Sequence, residues 1–259
     1  MELLRRLSEA AGVPGREEVR AIVRAALEGY ADELQVDRIG NVIAHKKGPG
    51  PKVVVAAHMD EIGFLVAHID EETGYLWIEL VGGFDFRTLI ASRVLVHTEG
   101  GPLLGLIGIK PVHLLTEEEK KKEIRIQDLF VDVGLPGKEV KGRVRLGDPV
   151  TLHQGFAEVG ELVSGKALDD RVGLYVGIEA IRRLQDHKAD LYFVGTVQEE
   201  VGLRGARASA FALAPEIGVA LDVTLACDMP GVQAHEQVTR LGKGVADLKT
   251  RLRTQSSIC

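Results

Sequence analysis

The chain has 259 residues, enough to bury a sizeable core and to form one or two domains. Hydrophobic residues make up 45% and charged residues 27%, an ordinary soluble globular balance, and the net charge of −6 argues against a general nucleic-acid binder. Two cysteines without Cys-x-x-Cys spacing, Cys227 and Cys259, suggest neither a thiolate metal site nor a disulfide framework. The opening Met1-Glu2-Leu3-Leu4-Arg5-Arg6 has no secretory apolar region and no apolar run reaches spanning length, so a cytoplasmic location without membrane association is expected. A single asparagine, Asn41, among plentiful Arg and Glu leans towards a thermophilic composition.

In chain order, Gly15 is placed to cap a helix with Glu17 and Glu18 in its first turn, followed by Val19, Ile22, Val23, Ala26 and Leu27 at helical spacing. Residues 34–43 read as two short strands around a Gly40-Asn41 turn. The apolar run 53–57 leads directly into His58. After about residue 66 brief strand candidates alternate with glycines, at 75–80, 93–97, 103–109, 129–133 and 144–152, the spacing of a small all-β barrel or sandwich. One helical stretch, 116–122, interrupts them; its Glu117-Glu118-Glu119 followed by Lys120-Lys121-Lys122 reads as a solvated helix end. From Gly165 helices and strands alternate again: helix 172–184, strand 191–197, helix 204–213, strand 217–221. An α/β fold with an all-β domain inserted in it is the simplest account. After Gly244 neither strand alternation nor a capped helix is visible, and an exposed tail is expected.

Four apolar segments end in carboxylates or imidazole: His58-Met59-Asp60-Glu61, Leu168-Asp169-Asp170-Arg171, Gln198-Glu199-Glu200 and Leu221-Asp222. In open α/β sheets the residues just past strand carboxyl ends line the ligand crevice. Each segment also has a plain reading. His58, Asp60 and Glu61 serve equally as the polar start of a loop; Asp169-Asp170 as an N-cap pair; Glu199-Glu200 as an exposed turn before Val201-Gly202; Asp222 as an Asx turn. Their joint occurrence is more specific. A hard anionic set of one imidazole and several carboxylates suits Zn²⁺, Co²⁺ or Mn²⁺, Asp60 stands where a ligating imidazole needs a partner, and paired glutamates offer one ligand and one spare base. His45, His68, His97, His113, His153 and His187 lack acidic partners at ligand spacing, and His235-Glu236 sits in a Gly/Pro-flanked loop. No phosphate loop or nucleophile elbow is visible.

These segments resemble the M42 family of metallo-aminopeptidases (glutamyl and tetrahedral aminopeptidase type). Ala57-His58-Met59-Asp60-Glu61-Ile62-Gly63, Gly165-Lys166-Ala167-Leu168-Asp169-Asp170-Arg171, Gln198-Glu199-Glu200-Val201-Gly202 and Leu221-Asp222-Val223-Thr224 are similar to its four site motifs, in order. Gly12-Val13-Pro14-Gly15-Arg16-Glu17, Asp37-Arg38-Ile39-Gly40-Asn41 and Gly147-Asp148 match supporting stretches. The resemblance implies a three-layer α/β/α metallopeptidase domain of the phosphorylase/hydrolase-like kind over 1–66 and 155–259, with a β dimerisation domain at 67–154. It implies two divalent ions, Zn²⁺ or Co²⁺ with Mn²⁺ also compatible. His58, Asp169 and Asp222 would hold one ion, while bridging Asp169 and Glu200 would hold the second. Glu199 would be the base on the attacking water and Asp60 would orient His58; the Asp169-Asp170 peptide would be cis. Short peptides would be the substrates, and homo-oligomers, dimers assembling into dodecamers, the functional form.

The resemblance extends to about Gly244; the family's closing Gly-rich Thr-Asp loop and last His ligand have no counterpart here. That departure implies an impaired second metal site and weak or absent peptidase activity. Competing expectations are a non-catalytic oligomerising remnant and an endoglucanase-type hydrolase working through two carboxylates. Against the latter, the chain has one Trp and 5% aromatics, few stacking platforms for sugars. Turnover of an aminoacyl chromogenic substrate is expected to be low; a robust turnover number would overturn the activity expectation.

Overall fold

A computed structural model describes residues 1–246, in two compact units: Met1–Asp222, and the residues from Val223 on. In the first unit, α1 (Glu2–Glu9) and α2 (Arg20–Leu27) precede β1 (Glu33–Val36), β2 (Val42–Lys46) and β3 (Lys52–His58). Six further strands close a barrel: β4 (Gly63–Ile69), β5 (Leu76–Val81), β6 (Arg93–Thr98), β7 (Gly101–Ile109), β8 (Leu129–Asp132) and β9 (Pro149–Leu152), with α3 (Gly137–Arg143) before the last. A hairpin of β10 (Ala157–Val159) and β11 (Leu162–Ser164) leads to α4 (Leu168–Arg183), β12 (Asp190–Thr196), α5 (Arg204–Leu213) and β13 (Ile217–Ala220). The barrel confirms an all-β element within α/β surroundings.

The open sheet runs β1-β2-β12-β3-β13, with β12 and β13 parallel to β3 and β2 antiparallel to β12. Alternation along its strands sends side chains to opposite faces. Val42, Ala44 and Phe193 pack with Leu7, Val23, Leu27, Leu174 and Ile178 from α1, α2 and α4. Ile43, Val54 and Val194 form a second cluster that Leu213 of α5 joins. The barrel has its own core, centred on Phe64, Leu76, Val94, Ile107, Leu129 and Val150. Burying each such side chain contributes about 1.5–3 kcal/mol.

Several predicted elements shift. The first predicted helix starts at Arg20, because Glu17 is taken up by the turn before it, accepting from the Gly15 amide at 2.7 Å and from Arg20 at 3.0 Å. Helix α1 and the β10–β11 hairpin have no counterpart among the predicted elements, and β4 enters the barrel at residue 63, ahead of the expected boundary at 67. The strand expected over 144–152 begins only at Pro149, since Val140 and Val144 bury themselves in and behind α3. The helical stretch expected over 116–122 shrinks to a 3₁₀ turn, Glu119–Lys121: Thr116 and Glu119 cap each other, but no apolar stripe holds the turn to the barrel.

His45 does have acidic partners. Its Nε2 lies 2.6 Å from Asp190 and its Nδ1 3.4 Å from Glu33, while its ring stacks on Tyr192 at 4.0 Å. These partners come from neighbouring strands, so strand register rather than sequence spacing supplies them. In the second unit a 3₁₀ turn at Ala234–Glu236 carries exposed His235, and Cys227 is a free thiol whose amide donates to Thr239. The expected tail from 247 onward, with Cys259, lies outside the described residues. No described helix is long and apolar enough to cross a membrane.

Close approach of α4 to the sheet depends on Gly177, where a Cβ would meet the Phe193 ring at 2.0 Å. Gly177→Ala is therefore expected to destabilise the fold by about 1–3 kcal/mol through overpacking. Urea unfolding checks this: a midpoint at or above the wild-type value would show that the layer yields.

Candidate metal centre

Three parallel strands end at one edge. Register pairs His58 with Thr196 and Ala56 with Ala220, and the ladder runs on through Met59 N to the Thr196 carbonyl and Leu221 N to the Ala56 carbonyl, both at 2.7 Å. His58 closes β3, Glu199 and Glu200 come after β12, and Asp222 after β13, so all four emerge at the carboxyl edge. Asp169 and Asp170 arrive from the start of α4, where Ala167 is left-handed (φ +53°) and neither Asp has helical dihedrals. Their peptide bond is cis. The two acids divide the roles open to the pair. Asp170 caps α4, accepting from Gly173 N at 3.0 Å, and also accepts from His58 N at 3.3 Å. Asp169 is left to face the imidazole, with Oδ1 2.9 Å from His58 Nε2.

Among the described residues two groups could hold an ion: His58 with Asp169 and Asp222, and His58 with Glu199 and Glu200, the donor atoms in each lying within 4.8 Å of one another. Every metal-binding and catalytic residue singled out in the sequence thus reaches one edge, although Asp169 and Glu200 do not share a three-residue group. Asp60 faces His58, with its carbonyl oxygen 3.1 Å and its carboxylate Oδ1 3.5 Å from Nδ1. The fully buried carboxylate has a second task that sequence reasoning missed: it accepts from Glu199 N at 2.9 Å and Glu200 N at 3.0 Å.

The charge balance is lopsided. Burial pulls the His58 pKa down, but Asp169, Asp60 and Asp170 outweigh it and push the imidazole up to about 11. Burial pushes Glu200 up to about 7, with Asp169, Asp60 and Glu199 adding to it against the opposing His58. Burial likewise raises Asp170 to about 7, and it raises Glu199. Carboxylates that resist ionisation around an imidazole that resists deprotonation call for positive charge. Imidazole and carboxylate donors at this spacing fit a divalent ion of the Zn²⁺, Co²⁺ or Mn²⁺ kind.

Other residues that support the site also escape a reading of the sequence. Fully buried Asn41 accepts from Val197 N at 3.0 Å and donates to Asp37 and the Gly205 carbonyl, tying the β1–β2 turn to the segment that carries the glutamates. Its being the only Asn is the available signal. Glu61, Lys166 and Arg171 form a buried ionic cluster, for which charged residues beside site motifs are the only hint. Asp60→Asn turns one acceptor into a donor facing a backbone N–H. A loss of about 1–3 kcal/mol is expected, read as a lower urea midpoint; unchanged stability would mean that the two amides find other acceptors.

The sequence profile of M42 glutamyl aminopeptidase matches residues 40–250. Over 249 residues the chain is 43% identical to lysyl aminopeptidase of Pyrococcus furiosus, covering 94% of this chain and 71% of that protein. A TET aminopeptidase from a marine-sediment Thaumarchaeota archaeon superimposes with a TM-score of 0.90 at 40% identity, over 94% of this chain and 70% of that one. The TET1 peptidase of Pyrococcus horikoshii, described as assembling into a tetrahedron or a large octahedral shell, superimposes with a TM-score of 0.77 at 38% identity, over 85% of this chain and 68% of that one. With the profile spanning most of its length and its site motifs gathered at one sheet edge, the chain belongs to the M42 family of aminopeptidases, which are hydrolases.

Proposed function

We propose that this chain is a two-metal aminopeptidase that releases the N-terminal residue of short peptides. The convergence of His58, Asp169, Asp222, Glu199 and Glu200 at the carboxyl ends of three parallel strands carries the reading. In it, His58, Asp169 and Asp222 would hold one ion, and Asp169 and Glu200 would serve the other. When bound, the ions polarise the scissile carbonyl, acidify the attacking water and anchor the substrate's free α-amine. Glu199 takes the proton of that water as its oxygen attacks the carbonyl carbon, then hands it to the amine nitrogen as the C–N bond breaks. Asp60 fixes both partners of this step, the imidazole through Nδ1 and the glutamates through their amides.

The same reading treats the open sheet with its helices as a three-layer α/β/α metallopeptidase domain, and the barrel, whose strands run from Gly63 to Leu152, as a dimerisation domain. Assembly into dimers and dodecamers is proposed from the shells described for the TET1 peptidase. No observation favours a sugar cleft: Trp77 lies on β5 against His68, within the barrel strands. A non-catalytic oligomerising remnant is separated by metal content.

After loading with Zn²⁺ or Co²⁺ and desalting, elemental mass spectrometry is expected to find one ion held firmly per chain and the second site, with Asp169 and Glu200 as its ligands, filled only in part. His58→Ala should lose the ions, while Glu199→Gln should keep them and slow release of the N-terminal residue by roughly 10²–10⁴-fold. A wild type that holds no more than one ion at any loading would overturn the two-metal reading, and two firmly held ions would overturn the impairment of the second site.

A further inference from the structure

Behind the metal edge lie three charged side chains for which the proposed chemistry has no use. Glu61, Lys166 and Arg171 are 3%, 7% and 0% exposed. Lys166 Nζ donates to both Glu61 carboxylate oxygens at 2.8 Å and to the Ala10 carbonyl at 3.0 Å. Arg171 donates through Nη1 to the carbonyls of Leu7 and Ala10, while its Nη2 stands 3.6 Å from Glu61. Its Nε and Nη2 have no hydrogen-bond partner among the described residues. Backbone contacts fasten the same group: Glu61 N donates to the Gly12 carbonyl at 2.9 Å, and Ser8 Oγ donates to the Lys166 carbonyl at 2.6 Å.

Stability is a poor account of this cluster. Taking such charges out of water costs as much as their attraction returns, and apolar side chains of similar volume commonly hold a core at least as well. Its placement offers a better account. Glu61 comes directly after Asp60 on the stretch leaving His58, Lys166 precedes Asp169 by three residues, and Arg171 comes directly after Asp170. Among the described residues no strand pairing joins the segment 165–171 to β3. Two side-chain hydrogen bonds tie this segment to His58, from His58 N to Asp170 and between His58 Nε2 and Asp169, and the second uses the very atoms a metal ion would occupy. A cross-strut is needed elsewhere, because ligand atoms must stay within about 0.5 Å of the productive geometry.

We propose that Glu61, Lys166 and Arg171 are positioning residues that fix the His58 and Asp169 segments at the separation a divalent ion requires, with the end of α1 as their common anchor. The inference rests on the two-metal reading. Outer contacts of this kind set metal affinity without touching the metal.

The test is Co²⁺ titration of the metal-free protein, recording the dissociation constant and the visible d–d bands, beside thermal unfolding without metal. The double variant E61Q/K166M removes one charge of each sign, so the net charge of the cluster is unchanged and Arg171 keeps its acceptors, the carbonyls of Leu7 and Ala10. It is expected to unfold near the wild-type temperature, to bind Co²⁺ about 10–100-fold more weakly, and to show shifted bands. The single variant Lys166→Met, which leaves Glu61 facing Arg171, should lie between the two. Wild-type affinity and bands in a folded variant would overturn the proposal. So would failure of both variants to fold, since a cluster kept for positioning is dispensable to the metal-free fold. A wild-type chain that takes up no Co²⁺ would overturn the metal reading and this inference with it, whereas uptake unaltered by the variants overturns this inference alone.

Discussion

One imidazole stands among Asp60, Asp169, Asp170, Glu199, Glu200 and Asp222, and that concentration of negative charge is the constraint that the surrounding structure answers. Like charges at hydrogen-bond range do not all stay ionised unless cations or donors meet them. The fold meets them one at a time. Asp60 is met by two backbone amides, and Asp170 by the Gly173 and His58 amides. The remaining charge, on Asp169, Asp222 and the two glutamates, faces His58, and it is this remainder that suits metal ions.

Holding such a cluster needs a frame that does not yield. The parallel ladders of β12 and β13 on β3 fix three of the four approaching segments to one another in register. The fourth, at the start of α4, has no ladder to lean on among the described residues. It is secured by side chains instead: the Asp170 cap, Arg171 on the α1 carbonyls and Lys166 on Glu61. Backbone hydrogen bonds do the aligning where the segment is a strand, and buried charges do it where the segment is a bend.

Much of this is legible in the sequence wherever a residue's role depends on its own neighbourhood. The β-branched run 53–57 and the apolar stretch before Glu199 announce buried strands, and the residues just past a buried strand in an α/β sheet face the crevice. Helix α5 occupies the span expected of it, 204–213. The illegible part depends on partners distant in sequence. The task of the Asp60 carboxylate is set by amides 139 and 140 residues away, that of Asn41 by Val197, and that of His45 by register across β1 and β12. Short elements such as α3 also escape, because seven residues carry too little periodicity to separate a helix from a strand end.

The chain passes from the open sheet into the barrel within a few residues. Strand β3 ends at His58 and β4 begins at Gly63, so the link 59–62 serves both. In that link Met59 and Asp60 are fully buried and Glu61 nearly so. It therefore cannot act as a slack tether, because one of its ends is a candidate ligand and its middle is the clamp on the glutamates. The two are mechanically in series: a load applied to the barrel wall reaches the imidazole through four stiff residues. A barrel of another sequence could be exchanged for this one only if it kept the length and burial of that splice.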